Sequence, residues 1–442
     1  MDLSSESHNN VTVVQQIPVE IWRSILLIAV ESPVLPRPGD DVLDGLILFS
    51  WECQFRNFVL EAMRERLRLV CRTWNAILEN EGVYFGLLHG NTLQQVSFAH
   101  KKRQKIRRIE SNFFWARPSP DLERRLEESS EDREKFLRSS NMEDVKYVEF
   151  LHISTNYNLT NQCELAMDIL SRATRIRAVE IHTIYMTPGA LNNILDHSAF
   201  DRITHFSIIM IGNHGWQVGR ISFPAVQCLR ICTRALSLSQ EKYIDNWEFP
   251  SLTSLMLHRN YETGESVFDG LGEFVAAHGK KVTSLNIEFT FPGELVSLWY
   301  PIDDIFWGQF PNLRLLAPGL GALGNGLVPP PPEVKLTSLG IPGMLPLWKN
   351  YTPACFDGCI HPLLRACRTL RVKQLVLLSS WDAMASKFGA PTPGGFCRSG
   401  WSKRLFEDAA VDGIEVVDID RVPVADPQGV RFLEKLRGPN PV

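Results

Sequence analysis

Val282-Thr283-Ser284-Leu285-Asn286-Ile287 sets apolar side chains at its first, fourth and sixth positions. The last pair alternates with a polar residue, which is the period of a strand with one buried face. The same spacing returns on both sides of this stretch. Upstream it reads Val145-Val148-Phe150, Ile176-Val179-Ile181, Ile203-Phe206-Ile208, Val226-Leu229-Ile231 and Leu252-Leu255-Leu257. Downstream it reads Leu313-Leu316, weakly, then Leu336-Leu339-Ile341, Val372-Leu375-Leu377 and Ile414-Val417-Ile419. The unit starts lie 23 to 42 residues apart, as differences of those positions. That leaves room for one helix or loop after each strand. A unit of this size cannot bury its apolar edge alone and must stack on its neighbours. The expected product is a recognition surface rather than a catalytic pocket.

Composition narrows the function classes. The 442 residues are 44% hydrophobic and 22% charged, which are ordinary globular values. A net charge of -4 on so long a chain gives no dominant footprint for nucleic acid or anionic membrane. No apolar run approaches the ~18 residues that span a bilayer, so no membrane partner is expected. The start, Met1-Asp2-Leu3-Ser4-Ser5-Glu6, is polar and acidic, unlike a secretory signal. Nine cysteines, neither dense nor evenly paired, suit a reduced cytoplasmic or nuclear chain.

Four segments follow from the punctuation. Residues 1–16 are polar and read as disordered. Residues 17–85 read as a helical module. Its first helix covers about residues 18–30 with the stripe Ile21, Trp22, Ile25, Leu26, Ile28 and Ala29. A loop rich in proline and aspartate follows at 33–45, then a mixed helix at 46–63. Leu67, Val70, Cys71, Trp74, Ile77 and Leu78 then recur at helical spacing. Residues 86–140 read as a charged connector, with a basic run at 101–108 and an exposed helix at 121–138. The basic run reads as a solvated helix face in preference to an import signal or nucleic-acid contact. Residues 141–442 carry the repeated units. Helices are expected at 190–195, at 271–277 with Gly279 as a left-handed cap, and at 361–367. Phe223-Pro224, Phe249-Pro250 and Phe310-Pro311 stand just before strands, where proline resets the chain to extended form. The prolines at 329–332 read as a rigid spacer or an interruption, and 383–400 as a surface loop.

Ile17-Pro18-Val19-Glu20-Ile21-Trp22, followed by Leu67-Arg68-Leu69-Val70-Cys71-Arg72-Thr73-Trp74, resembles the F-box. That motif opens on Leu-Pro-x-Glu-Ile/Leu and later carries Leu-x-x-Val-Cys-Arg-x-Trp. Here Ile17 stands in place of leucine, the gap from Val30 to Leu67 is longer than in a compact F-box, and Val83-Tyr84-Phe85 takes the place of the later Leu-Trp. With the repeats behind it, the chain is similar to fungal F-box proteins with a C-terminal leucine-rich-repeat-like region. The resemblance implies an α/β fold class: an F-box-like helical module at 17–85 and a leucine-rich-repeat-like solenoid of about ten strand-plus-helix/loop units at 141–442.

It also implies a function. The chain would be the substrate-recognition subunit of a Skp–cullin–F-box ubiquitin ligase, not itself an enzyme. Ile17, Pro18, Ile21, Trp22, Leu69 and Val70 would bind the Skp adaptor and through it the cullin, and the repeats would bind an unknown protein target. Trp74 and Cys71 suit either that interface or internal packing. The alternative is a ligase-independent repeat scaffold, suggested by the long 31–66 insert.

Other motifs carry little. Gly319-x-Gly321-x-x-Gly324 matches a dinucleotide fingerprint, but Asn325, Gly326 and four prolines follow where a helix is needed to hold a pyrophosphate. It reads as a turn. Cys355, Cys359, His361 and Cys367, and Cys228 with Cys232, have no standard zinc spacing and read as packing thiols. The eleven histidines are scattered. No cofactor, metal or catalytic residue is expected.

Overall fold

The computed structural model describes residues 17–30, 63–64, 66–80, 83–84, 105–106, 108–109, 144–154, 161–183, 186–211, 219–234, 244–260, 271–290, 302–318, 327–341, 353–378, 401–418 and 420–426. The expectations for 1–16, 33–45, 121–138, 319–324 and 383–400 lie outside these residues, as does all but the last residue of the helix expected at 46–63.

The chain is mixed α/β and is organised by one large parallel sheet. Near the N-terminus are helices α1 (Val19–Val30) and α2 (Arg72–Asn80) and a small parallel pair, β1 (Val83–Tyr84) with β2 (Lys105–Ile106). Among the described residues the large sheet has eleven strands: β3 (Arg108–Ile109), β4 (Phe150–Ser154), β5 (Ala178–His182), β6 (His205–Ile211), β8 (Cys228–Arg234), β10 (Ser254–Asn260), β11 (Ser284–Thr290), β12 (Leu315–Ala317), β13 (Ser338–Ile341), β14 (Gln374–Leu377) and β15 (Glu415–Val417). Two short strands, β7 (Ile221–Ser222) and β9 (Trp247–Glu248), pair separately within the connections. Strand order follows the chain from β3 to β15, and the sheet does not close.

A parallel neighbour needs a long return connection. Helices supply most of these: α3 (Asn161–Arg172), α4 (Pro188–Leu195), α5 (Gly272–His278), α6 (Asp304–Gln309), α7 (Pro353–Leu370) and α8 (Trp401–Val411). Thr187 caps α4, its hydroxyl accepting from the Ala190 amide, and Asp303 caps α6 from the same position. Among the described residues, no helix is long and apolar enough to cross a membrane.

The register explains the repeated spacing. Leu151, Val179, Phe206, Leu229, Leu255, Leu285, Leu316, Leu339, Leu375 and Val416 align strand to strand on one face. With the residues three before and two after, most of them form the main core, joined by Leu191 and Ile194 of α4, Phe274 of α5, Trp307 of α6 and Leu363 of α7. Each such side chain contributes about 1.5–3 kcal/mol on burial. Hydroxyls of Thr204, Thr253, Thr283 and Thr337 donate to the carbonyls of Arg177, Gln227, Thr253 and Arg314 one strand back, at 3.0 to 3.3 Å.

Eight of the ten expected units fall in this frame; the first and last do not. In the first, the aligned residues are Val148, Leu151 and Ile153, three later than expected, because a 3-10 turn occupies Asp144–Tyr147. Phe150 is buried on the opposite side of the strand. In the last, Val416 takes the core position and Val417 joins Met256, Leu315 and Val376 on the second face. Leu313-Leu316, weak in sequence, is a full member of the ladder.

The Phe-Pro pairs build turns. Carbonyls of Phe223, Phe249 and Phe310 accept from the amides of Val226, Leu252 and Leu313 three residues on. Proline at the second position presets the turn dihedral. The three phenylalanines are fully buried, and Phe223 stacks on Phe249 with ring centroids 5.0 Å apart. The proline run ends in the same turn, with Pro331 accepting from Val334. Gly279 is not a left-handed cap: its φ is -55°, and the helix continues into a 3-10 turn. Glycine is required there because a Cβ would stand 2.6 Å from the Gln309 carbonyl oxygen. The helix expected at 361–367 is longer, Pro353–Leu370, and carries Pro362 inside it. Of the basic run at 101–108 the described residues are extended and not helical: Lys105–Ile106 and Arg108–Ile109 are strands, and the second joins the sheet ahead of residue 141, while 101–104 and 107 lie outside the described residues.

Candidate functional site

Among the described residues, two places gather candidate functional side chains. The first is the pair of N-terminal helices. Leu26, Ile77 and Leu78 form a small buried cluster against Trp22, Leu67 and Trp74. The rings of Trp22 and Trp74 lie 4.9 Å apart. Cys71 stands just before α2, and its sulfur accepts the Trp74 amide at 3.5 Å, so it serves as a cap. Trp74 and Cys71 thus work inside the unit. Pro18 opens α1, its carbonyl accepting from Ile21 and Trp22. Outside remain Leu69 at 86% exposure, Val70 at 56%, Ile21 at 50% and Ile25 at 44%. Ile17 and Trp22 are half-buried and Pro18 is exposed.

The second lies on the sheet face opposite the main core. There the register sets His152, Glu180, Ser207 and Arg230 in one row across four adjacent strands, β4, β5, β6 and β8. His182, two residues after Glu180, completes the group. Arg230 Nη1 donates to Glu180 Oε1 at 2.9 Å, and Ser207 Oγ donates to the same oxygen at 3.1 Å. The imidazoles of His152 and His182 lie 4.3 Å apart. Glu180, His182 and Ser207 are buried, and His152 is half-buried. Burial first, then His152 and Arg230, hold His182 well below its ordinary pKa. In the neighbouring row, burial lowers His205 to about 4 and raises the Cys228 thiol to about 12.

None of these sheet residues stands out in the sequence. Their common signal is positional: Glu180, Ser207 and Arg230 each fill the slot between the last two apolar residues of their unit. His152 fills it as well once the first unit is set in its true frame. Among the cysteines expected to be packing thiols, Cys228, Cys232 and Cys367 are buried. Burial, aided by Asp412, lifts Cys367 to about 12. A cavity of about 500 Å³ lies beside β9, lined by Arg220, Asp245, Glu248, His278 and Lys281 among others. Several of its groups serve the fold: Arg220 pairs with Glu248, Asp245 accepts the Phe274 amide, and His278 Nε2 and Lys281 donate to the carbonyls of Trp247 and Phe249. No family model matches the chain, and no curated protein matches it.

Proposed function

We propose that this chain is a non-catalytic recruiting subunit of a Skp–cullin–F-box ubiquitin ligase, with the N-terminal helices holding the Skp adaptor and the repeated strands presenting a protein target. The observation that carries this reading is the division of labour in the N-terminal unit. Its own small core uses Trp22, Leu26, Trp74, Ile77 and Leu78, while Ile21, Ile25, Leu69 and Val70 stay outside. Apolar side chains left out of so small a core suit a partner. Each would contribute about 1.5–3 kcal/mol on burial before the cost of association. The in-register strands support the second half of the reading, a stacked repeat body of the leucine-rich-repeat kind. Holding a target beside a partner enzyme raises its effective concentration, so the chain needs no reactive group of its own.

Capture of purified Skp adaptor on the full-length chain tests this. Binding is expected for the native chain and is lost in Val70→Asp and Ile21→Asp, with the circular dichroism of the sheet unchanged. Failure of the native chain to retain the adaptor sinks the reading. Capture of the adaptor without cullin would instead favour the ligase-independent scaffold.

A further inference from the structure

We propose that His152, Glu180 and His182 bind one divalent transition-metal ion of the zinc class. Their donor atoms all lie within 4.8 Å of one another. The arrangement follows from the sheet and not from a mobile loop. His152 and Glu180 are register partners on β4 and β5, and His182 projects from the same face of β5 two residues on. Two imidazoles and one carboxylate are borderline donors that select zinc and its first-row neighbours over magnesium or calcium.

The carboxylate is held in place. Arg230 and Ser207 both bind Oε1, at 2.9 and 3.1 Å, which leaves Oε2 for an ion. Ligating carboxylates are usually held by hydrogen bonds of this kind from outer-shell groups, here Arg230 and Ser207. An ion pair alone would need only Arg230, Glu180 and Ser207. Two imidazoles also lie at the same carboxylate, with donor atoms within 4.8 Å. Three protein donors also leave a coordination position for water. Half-buried His152 gives the site its approach from solvent.

The test uses the full-length chain, stripped with chelator and titrated with zinc or cobalt(II). One equivalent is expected by equilibrium dialysis. The cobalt form should show visible bands of a nitrogen and oxygen site and lack the near-ultraviolet charge-transfer band of a thiolate ligand. His152→Gln should weaken binding at least about tenfold. His152 is half-buried, so this variant is expected to keep its fold, with thermal unfolding as the check. His182→Gln should do the same where it folds. Three outcomes overturn the proposal: no binding up to millimolar metal, a thiolate band, or an affinity unchanged in His152→Gln.

Discussion

Arg230 and Glu180 are 50 residues apart in the chain and 2.9 Å apart in space, joined across β6 by the parallel register. Their side chains keep only 12% and 10% of their accessible surface. A pair this deeply desolvated is costly to split, because the survivor is left as a buried charge. Arg230→Met is therefore expected to cost about 3–5 kcal/mol. Adding Glu180→Gln should recover part of the loss. Urea unfolding of the two singles and the double checks this. A double variant that loses the sum of the two singles would show that the pair is not coupled.

His205 gives the fold an acid limit. Burial lowers its pKa from 6.5 to about 4, so the folded state holds the ring neutral. Between these values the unfolded chain binds more protons, and stability rises with pH. Above pH 6.5 the ring is neutral in both states and costs nothing; as pH falls from 6.5 toward 4 the loss of stability grows to about 3 kcal/mol. Unfolding free energies measured in steps across that window should fall steeply in the native chain and less steeply in His205→Gln. Equal slopes in both would remove His205 from the account.

Gly340 and Ala317 meet on adjacent strands of the second face. A Cβ on Gly340 would stand 2.7 Å from the Ala317 Cβ. Gly340→Ala is expected to cost about 1–3 kcal/mol through overpacking, and Ala317→Gly in the same chain should relieve much of it. Gly189, in α4, has open space where a Cβ would stand. Gly189→Ala should be neutral or stabilising by up to about 1 kcal/mol. Thermal melts of these variants separate the two cases.

The strand ladder is legible in the sequence because its signal is local. Val179-Glu180-Ile181 or Leu285-Asn286-Ile287 shows the alternation within one strand, and parallel pairing repeats it without a shift. Two units are ambiguous where a second frame fits equally well. Val145-Val148-Phe150 and Val148-Leu151-Ile153 share a residue and a spacing, and only pairing with β5 chooses between them. At the other end, Ile414, Val416 and Val417 are all apolar, and both faces of β15 are buried. The first ambiguity bears on the proposed metal site: the wrong frame moves His152 out of the slot it shares with Glu180. The apolar stripe of α1 is legible too. Which of its residues face outward is not, because Trp22 and Ile21 are equally apolar and only contact with Trp74 separates them.

Arg371 ends α7 in a conformation that suits glycine. Its φ is 56°, its amide bonds to the Arg368 carbonyl, and the next amide, Val372, reaches back to Cys367. The end of α8 is built the same way: Gly413 has φ 67°, its amide bonds to Ala410, and Ile414 reaches back to Ala409. Both are left-handed closures in which paired carbonyls finish the helix. Glycine takes that conformation freely, whereas any other residue is strained there by about 1–2 kcal/mol. The Arg371 side chain is exposed, so its removal forfeits little packing. Arg371→Gly should therefore stabilise the chain by about 1 kcal/mol, and Gly413→Arg should destabilise it by a similar amount. Opposite shifts in urea midpoint at unchanged slope are the expected result. A loss of stability in Arg371→Gly would mean that the arginine side chain supports the α7 end in a way its exposure does not reveal.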